Sequence, residues 1–448
     1  MFDLFGQDMK KLFFNVRKNI LFTNAISNYV AAAWLGIVSL ALTPIYLKVL
    51  GPTQWGIVSI CIAVQAFMFL IDAGLAQIMP RDIAKEKKNE GLLSVFLTYN
   101  YLYIIIAAFG WIVGYLSLPY IVSHWFNPPE SEQMVLALAL KLLLTQFVFQ
   151  LVNNSNLCYW YGIQKQYIAC ARQILFFSLK HALAIIFILV WEKNAISYQL
   201  AFLSVTVVEC LFNRYAVIKE VKTQQKIGLN FDFARIKRLF KESGVLSLAI
   251  LLGMFTTQID KLVLSKQVGI SIFGYYAIIA FLGAAFLQLQ YPLMRAFLPR
   301  LTTENNRSNL GSYVTMLKFV MIFCIMPTLI AIIFSEKILL LWLHNVEVAT
   351  LGALTLRLIL VATILNAFYN VIYQKIIISG DGRFILLTNL ICMIVVFPLT
   401  YFLSKKIGIQ AGGIAWLSTA SIQLLFGVLW IVSKRKAHEK NNCNNSML

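Results

Sequence analysis

Several basic residues stand inside stretches of sequence that are otherwise apolar, among them Lys141, Arg172, Lys180, Lys261 and Arg357. The segment ILFFSLKHALAIIFILVW, residues 174–191, places Lys180 and His181 near its middle. A lysine at the centre of a membrane helix costs roughly 2.5–3.5 kcal/mol, so its retention there calls for a use. Gln166, Gln173 and Lys180 recur at intervals of seven, and at about 100° per residue they form one helical stripe, which Trp191 continues. Arg172 lies on the adjacent face. Fixed cations in a low-dielectric interior neutralise anions that would otherwise be excluded from it. Acids in comparable positions are few, namely Asp72, Glu209 and Asp260, and that balance favours an anionic cargo over a cationic one.

Membrane-spanning helices must hold these groups. The 448-residue chain is 60% hydrophobic and only 13% charged, against about 25% charged in soluble domains, and apolar runs of about 20 residues recur throughout. The pattern predicts an all-α polytopic membrane protein with helices near 23–47, 54–79, 92–118, 133–158, 167–191, 196–217, 244–265, 271–296, 313–334, 347–373, 384–404 and 411–433. An amphipathic cytoplasmic arm (1–22) precedes a six-helix N-terminal lobe (23–217). A basic cytoplasmic linker (218–243) leads to a six-helix C-terminal lobe (244–433) and a cytoplasmic tail (434–448). In the arm, Met9, Leu12, Phe13, Val16 and Ile20 recur at helical spacing beside Lys10, Lys11, Arg17 and Lys18, unlike a cleavable signal.

With both termini in the cytoplasm, the outer loops carry only Lys48, Lys193, Lys266, Lys337, Lys405 and Lys406 of the 38 lysines and arginines, which selects that orientation by the positive-inside rule. The formal charge of +19 then belongs to the inner membrane face and not to nucleic acid, since no basic patch with interleaved aromatics stands apart from the spans. The seven cysteines form neither a CxxC nor a Cys/His cluster, so neither a metal site nor a disulfide framework is expected.

The two halves repeat. KVLGPTQWG (48–56) and KQVGISIFG (266–274) share Lys, Gly and Gly in register. Gly162 with Lys165 finds Gly380 with Arg383 at the same spacing, and Pro80-Arg81 finds Pro299-Arg300 one position further on. Units of six helices share one topology, so the predicted repeat is parallel, with a pseudo-two-fold axis along the membrane normal and a central cavity.

TPIYLKVLGPTQWGIVSI and FLIDAGLAQIMPRDIA (within 43–84), TTQIDKLVLSKQVGISIFGYYAI (256–278), MRAFLPRLT (294–302) and the stretch from ISGDGRF to AWLSTA (378–420) resemble the Wzx-type polysaccharide flippases of the multidrug/oligosaccharidyl-lipid/polysaccharide exporter superfamily. The resemblance covers almost the whole chain and rests on diffuse glycine, proline and aspartate patterns. It implies translocation of an undecaprenyl-diphosphate-linked oligosaccharide, such as an O-antigen repeat unit, from the cytoplasmic to the periplasmic leaflet of a bacterial inner membrane. It further implies alternating access around an inverted-V cavity, an H⁺ or Na⁺ gradient in place of any cofactor, and polysaccharide polymerase and chain-length proteins as partners. The sequence has no GxxxxGK[ST] phosphate loop, in keeping with transport that hydrolyses no ATP.

On that resemblance the pyrophosphate would meet Lys180, Arg172 and Gln173, with Lys141 and Arg357 as a pseudo-symmetric cationic pair. Asn28, Gln258 and Lys261 lie on polar stripes of the first and seventh helices that suit sugar hydroxyls, and Asp260 and Asp72 are candidates for ion coupling. Each has a structural alternative. Lys180 and Arg172 can snorkel or, for Lys180, pair between helices; Lys141 and Arg357 can pair with an acid, Glu209 among them; the neutral stripes can serve helix packing. Gln146, Gln150 and Asn153 form a stripe roughly opposite Lys141, and Asn366 and Asn370 stand similarly to Arg357. Both faces of one helix can line a single cavity only if the helix bends.

Asp260 and Lys261, being adjacent, are expected to diverge by about 100° and not to pair face to face. His181 reads as a packed neighbour in preference to a proton relay. Rival readings are a multidrug exporter of the same superfamily, whose cationic substrates call for more acids, and a membrane polysaccharide polymerase or glycosyltransferase. For the latter the outer segment 119–133 offers only His124, Glu130 and Glu132.

Overall fold

A computed structural model describes residues 20–72, 75–86, 91–126, 128–224, 244–303 and 309–445. The predicted arm up to residue 19, the linker from 225 to 243 and the last three residues of the tail lie outside the described residues. The chain divides into two compact units, Met1–Ser243 and Gly244–Leu448.

The first unit runs α1 (Ile20–Met68), a 3₁₀ turn (Phe69–Ile71), α2 (Leu75–Glu86), α3 (Leu92–Tyr120) ending in a π turn (Ile121–Phe126), α4 (Glu130–Gly162), α5 (Gln166–Val190) and α6 (Ala195–Gln224). The second runs α7 (Gly244–Thr256), α8 (Ile259–Gln267), α9 (Ile270–Gln288), α10 (Gln290–Thr303), α11 (Asn309–Val320), a π turn (Met321–Ile325), α12 (Met326–Ile333), α13 (Ser335–Leu343), α14 (Val346–Ile378), α15 (Gly382–Ile407) and α16 (Gln410–Asn445).

Ten of the described helices are long and apolar enough to cross a membrane, against the twelve expected. Two local causes account for the difference. The first predicted span runs on into the second as one element, α1, because the chain bends at Gly51 (φ 77°, ψ 168°), a conformation open to glycine, and Pro52 restarts the helix at once. The seventh predicted span is broken at residues 257–258 into α7 and α8, each too short to cross alone. Helix also continues past two predicted boundaries, to Gln224 at the end of α6 and to Asn445 at the end of α16.

The long helix at the centre of each unit organises it. α4 packs against α3, α6 and α2, and α14 packs against α16, α9 and α13. Both have 33 residues, and a residue with positive φ follows each, Gln164 (63°) after α4 and Gly380 (75°) after α14. Around α4 the core is rich in aromatics, with Phe96, Tyr99, Tyr103, Phe147 and Tyr159 all fully buried. Around α14 small residues set the spacing: a Cβ on Gly283 would collide with Ile359, and one on Gly352 with Ile279. Such close approach is how helices pack where lipid offers no hydrophobic contrast.

Candidate functional site

The intramembrane cations fall into two groups, one consumed inside a unit and one left outward. Lys180 on α5 is buried, and its Nζ lies 2.7 Å from Glu209 Oε2 on α6, with side-chain exposures of 11% and 7%. Glu209 Oε1 accepts from Asn153 Nδ2 (3.0 Å) on α4, Asn153 Oδ1 accepts from Asn213 Nδ2 (3.0 Å), and Asn213 Oδ1 accepts from an Arg172 guanidinium N–H (3.2 Å). The Arg172 guanidinium also lies over Trp160 (4.8 Å to the centroid) and Phe212 (5.4 Å). Lys180 and Arg172, predicted on neighbouring faces of one helix, are thus the two ends of a polar chain joining α4, α5 and α6. Of the two, only Lys180 meets a carboxylate among the described residues.

Of the rest of the α5 stripe, Gln166 serves a helix contact, Gln173 stands half-buried and Trp191 is exposed. Gln166 Oε1 accepts from Asn28 Nδ2 (2.6 Å) on α1, and Asn28 Nδ2 also reaches the Asn24 carbonyl (2.8 Å). His181 is a packed neighbour: its Nδ1 shares a hydrogen bond with the Tyr46 hydroxyl (2.9 Å), while Phe177 and Phe202 meet its ring edge-on.

Lys141 and Arg357 form the outward group. Each stands eleven residues after the start of its long helix, α4 or α14, and each is exposed. Lys141 Nζ lies over the Tyr115 ring (5.5 Å), and Arg357 Nε donates to Ser335 Oγ (2.8 Å). Neither forms an ion pair among the described residues. The polar residues on the opposite face of α4 turn into the unit: Gln146 bonds Gln199, Gln150 Oε1 accepts from Gln65 Nε2 and Asn153 bonds Glu209. One helix therefore keeps its amides inside and its cation outside, and needs no bend to do so.

In the second unit the break between α7 and α8 gathers three predicted residues. Asp260, in the first turn of α8, is buried; its Oδ2 accepts from the Tyr276 hydroxyl on α9 and from Trp416 Nε1 (3.0 Å) on α16. Lys261 Nζ lies 3.7 Å from the same oxygen, which corrects the expectation that the adjacent pair would not meet. The lysine stem is long and flexible enough to fold back across the first turn of a helix that starts only two residues earlier. Gln258, at the break, gives its amide hydrogen to Thr257 Oγ1 (3.4 Å), while its own Oε1 is buried and unbonded among the described residues. Asp72 follows the 3₁₀ turn of the first unit; it is buried and accepts from Tyr103 and Asn154, each at 2.6 Å.

Sequence reasoning passed over Asn213, Asn154 and Gln290. The signal was present for the last two, because Asn154 with Asn370, and Asp72 with Gln290, stand at about the repeat spacing.

The polysaccharide biosynthesis protein family matches residues 21–305, and the MatE family matches residues 294–402. A Shigella flexneri protein named "Putative O-antigen transporter" is 22% identical over 421 residues, 92% of this chain and 96% of that one. Among solved structures, an inward-facing multidrug resistance MATE transporter of the MOP superfamily superposes with a TM-score of 0.71 at 18% identity, covering 91% of this chain and 96% of the other. The lipid II flippase MurJ, in its inward closed conformation, superposes with a TM-score of 0.73 at 14% identity, covering 92% and 87%. The chain belongs to the polysaccharide biosynthesis protein family and shares the fold of MOP-superfamily transporters.

Proposed function

We propose that this transporter is a flippase for an undecaprenyl-diphosphate-linked oligosaccharide, moving an O-antigen or similar surface-polysaccharide unit from the cytoplasmic to the periplasmic leaflet of a bacterial inner membrane by ion-coupled alternating access. The observation that carries the reading is the charge left over after internal pairing. Lys180 is neutralised by Glu209 and Lys261 leans on Asp260, but Lys141, Arg357 and Arg172 have no carboxylate partner among the described residues. Cationic excess within membrane-spanning helices suits a diphosphate cargo and opposes a cationic drug. The unbonded Gln258 Oε1 supplies a neutral partner for sugar hydroxyls, and Gln173 stands beside Arg172 on α5. Asp260 and Asp72 are the carboxylates available to a coupling ion.

The test compares cells lacking the gene with cells restored by it, quantifying lipid-linked oligosaccharide in membranes and polymer at the surface. Precursor that accumulates while polymer disappears is the expected result. The MatE match to residues 294–402 favours drug export as the second reading. Unchanged precursor together with raised sensitivity to cationic drugs would establish that reading instead.

A further inference from the structure

The second span of each unit is interrupted, and the two interruptions are clamped by chemically different groups. In the first unit α-helical bonding stops at Met68, the Asp72 N–H donates to the Phe69 carbonyl (3.1 Å), and helix resumes at Leu75. In the second, α9 stops at Gln288, the Leu289 N–H donates to the Phe286 carbonyl (3.2 Å), and α10 begins at Gln290. Asp72 and Gln290 stand at equivalent positions of the repeat, and both are buried.

An asparagine of the long central helix holds each one. Asn154 Nδ2 donates to Asp72 Oδ2, and Asn370 Nδ2 donates to Gln290 Oε1, both at 2.6 Å. Asp72 Oδ1 also accepts from the Tyr103 hydroxyl on α3 (2.6 Å), whereas Gln290 uses its own N–H to reach the Thr363 carbonyl (3.2 Å). The clamps match in place and in partner. They differ in that a carboxylate can take up a proton and an amide cannot.

The surroundings of Asp72 suit that ligand. It forms no ion pair among the described residues. The titratable groups facing it are Tyr103 from α3 and Cys158 from α4, whose thiol donates to the Ala76 carbonyl (3.8 Å). Asp82, on α2, is engaged by the Tyr99 hydroxyl instead (2.8 Å). An ionised carboxylate held in an apolar interior without a cation is costly, and binding a proton removes that cost. It also changes the clamp: the bond from Asn154 loses its charge assistance, and the Tyr103 hydroxyl must turn from donor to acceptor. Nothing comparable can happen at Gln290.

We propose that Asp72 is a proton-binding site whose occupancy sets how firmly the interrupted second span of the first unit is held to α4, while the equivalent Gln290–Asn370 clamp stays fixed. The inference deepens the ion-coupled part of the proposed function and rests on that reading. Its test needs no cargo, so its failure would leave the cargo assignment standing.

The test is hydrogen–deuterium exchange on the purified full chain in nanodiscs, wild type against Asp72→Asn, read over residues 75–86 at matched pH so that intrinsic exchange rates cancel. At pH 8 the wild type should be protected on the order of tenfold more than the variant, the difference between a charge-assisted and a neutral hydrogen bond. As pH falls to 5 the ratio should move toward one. A ratio constant across that range overturns the proposal. Should Asp72→Asn fail to insert, Gln290→Glu decides: it should give residues 291–303 a pH-dependent protection that the wild type lacks there, and pH-independent exchange in that variant overturns the proposal equally.

Discussion

At the scale of the residue, a buried charge matters first for what it would leave behind. Removing the ammonium of Lys180 strands the Glu209 carboxylate, itself buried and held by Asn153, and breaking a buried pair from one side costs about 3–5 kcal/mol. Lys180→Met alone should therefore unfold at markedly lower temperature in detergent, and Lys180→Met with Glu209→Gln should recover most of the loss. A double variant as unstable as the single one would show that the pair is not what stabilises this site. Asp381 offers the contrasting exposed case. Its carboxyl is held below the usual carboxylate range, first by the hydrogen bond from Lys434 and then by that from Trp430, both at 3.0 Å. A depressed carboxylate stabilises above its unfolded value of about 3.9 and loses that contribution as pH falls through the folded one. With Lys434 largely exposed, the gap between wild type and Asp381→Asn should not exceed about 1 kcal/mol at pH 7 and should close below about pH 4, as denaturant titrations at the two pH values would show.

At the scale of the element, close helix approach decides what can be changed. Gly283 and Gly352 set α9 against α14 so tightly that Gly283→Ala or Gly352→Ala must displace Ile359 or Ile279, an overpacking cost of about 1–3 kcal/mol. Gly36, with nothing within 4 Å of an added methyl, should accept alanine without loss, and thermal melts of the three variants compare them directly. Much of this level was legible in the sequence. Apolar runs and loop charges marked nearly every helix, and the paired Gly-Lys and Gly-Arg turns marked the ends of the two long central helices. The breaks were not legible, because no proline interrupts 256–259 and the Asp72 turn continues an apolar run. The partner of Lys180 was equally hidden: the spacing Gln166, Gln173, Lys180 reports a shared face but not which neighbour that face meets. Lys261 escaped for a related reason, since ideal helical angles describe helix interiors and it sits in a first turn.

At the scale of the whole molecule, the two exposed cations stand at matching places in the two units. Lys141 and Arg357 occupy the same register of two equally long helices, about 16 Å from their starts. Under the flippase reading their loss should weaken transport without weakening the fold, since both are exposed and neither is paired by an acid among the described residues. Lys141→Gln with Arg357→Gln should lower lipid-linked oligosaccharide flux several-fold more than either change alone at unaltered protein level in the membrane. Undiminished flux in the double variant would remove these residues from the substrate path.

The length of those two helices has a consequence for the bilayer itself. Thirty-three residues make a rod of about 50 Å, against a hydrocarbon core of about 30 Å. The surplus must appear as tilt or as helix standing clear of the acyl chains. Both rods end in turns that carry hydrophilic charge, Lys165 after α4 and Asp381 with Arg383 after α14, which cost nothing to hydrate if that end is the one that projects. A membrane thicker or thinner by a few ångströms would then be met by a change of inclination alone.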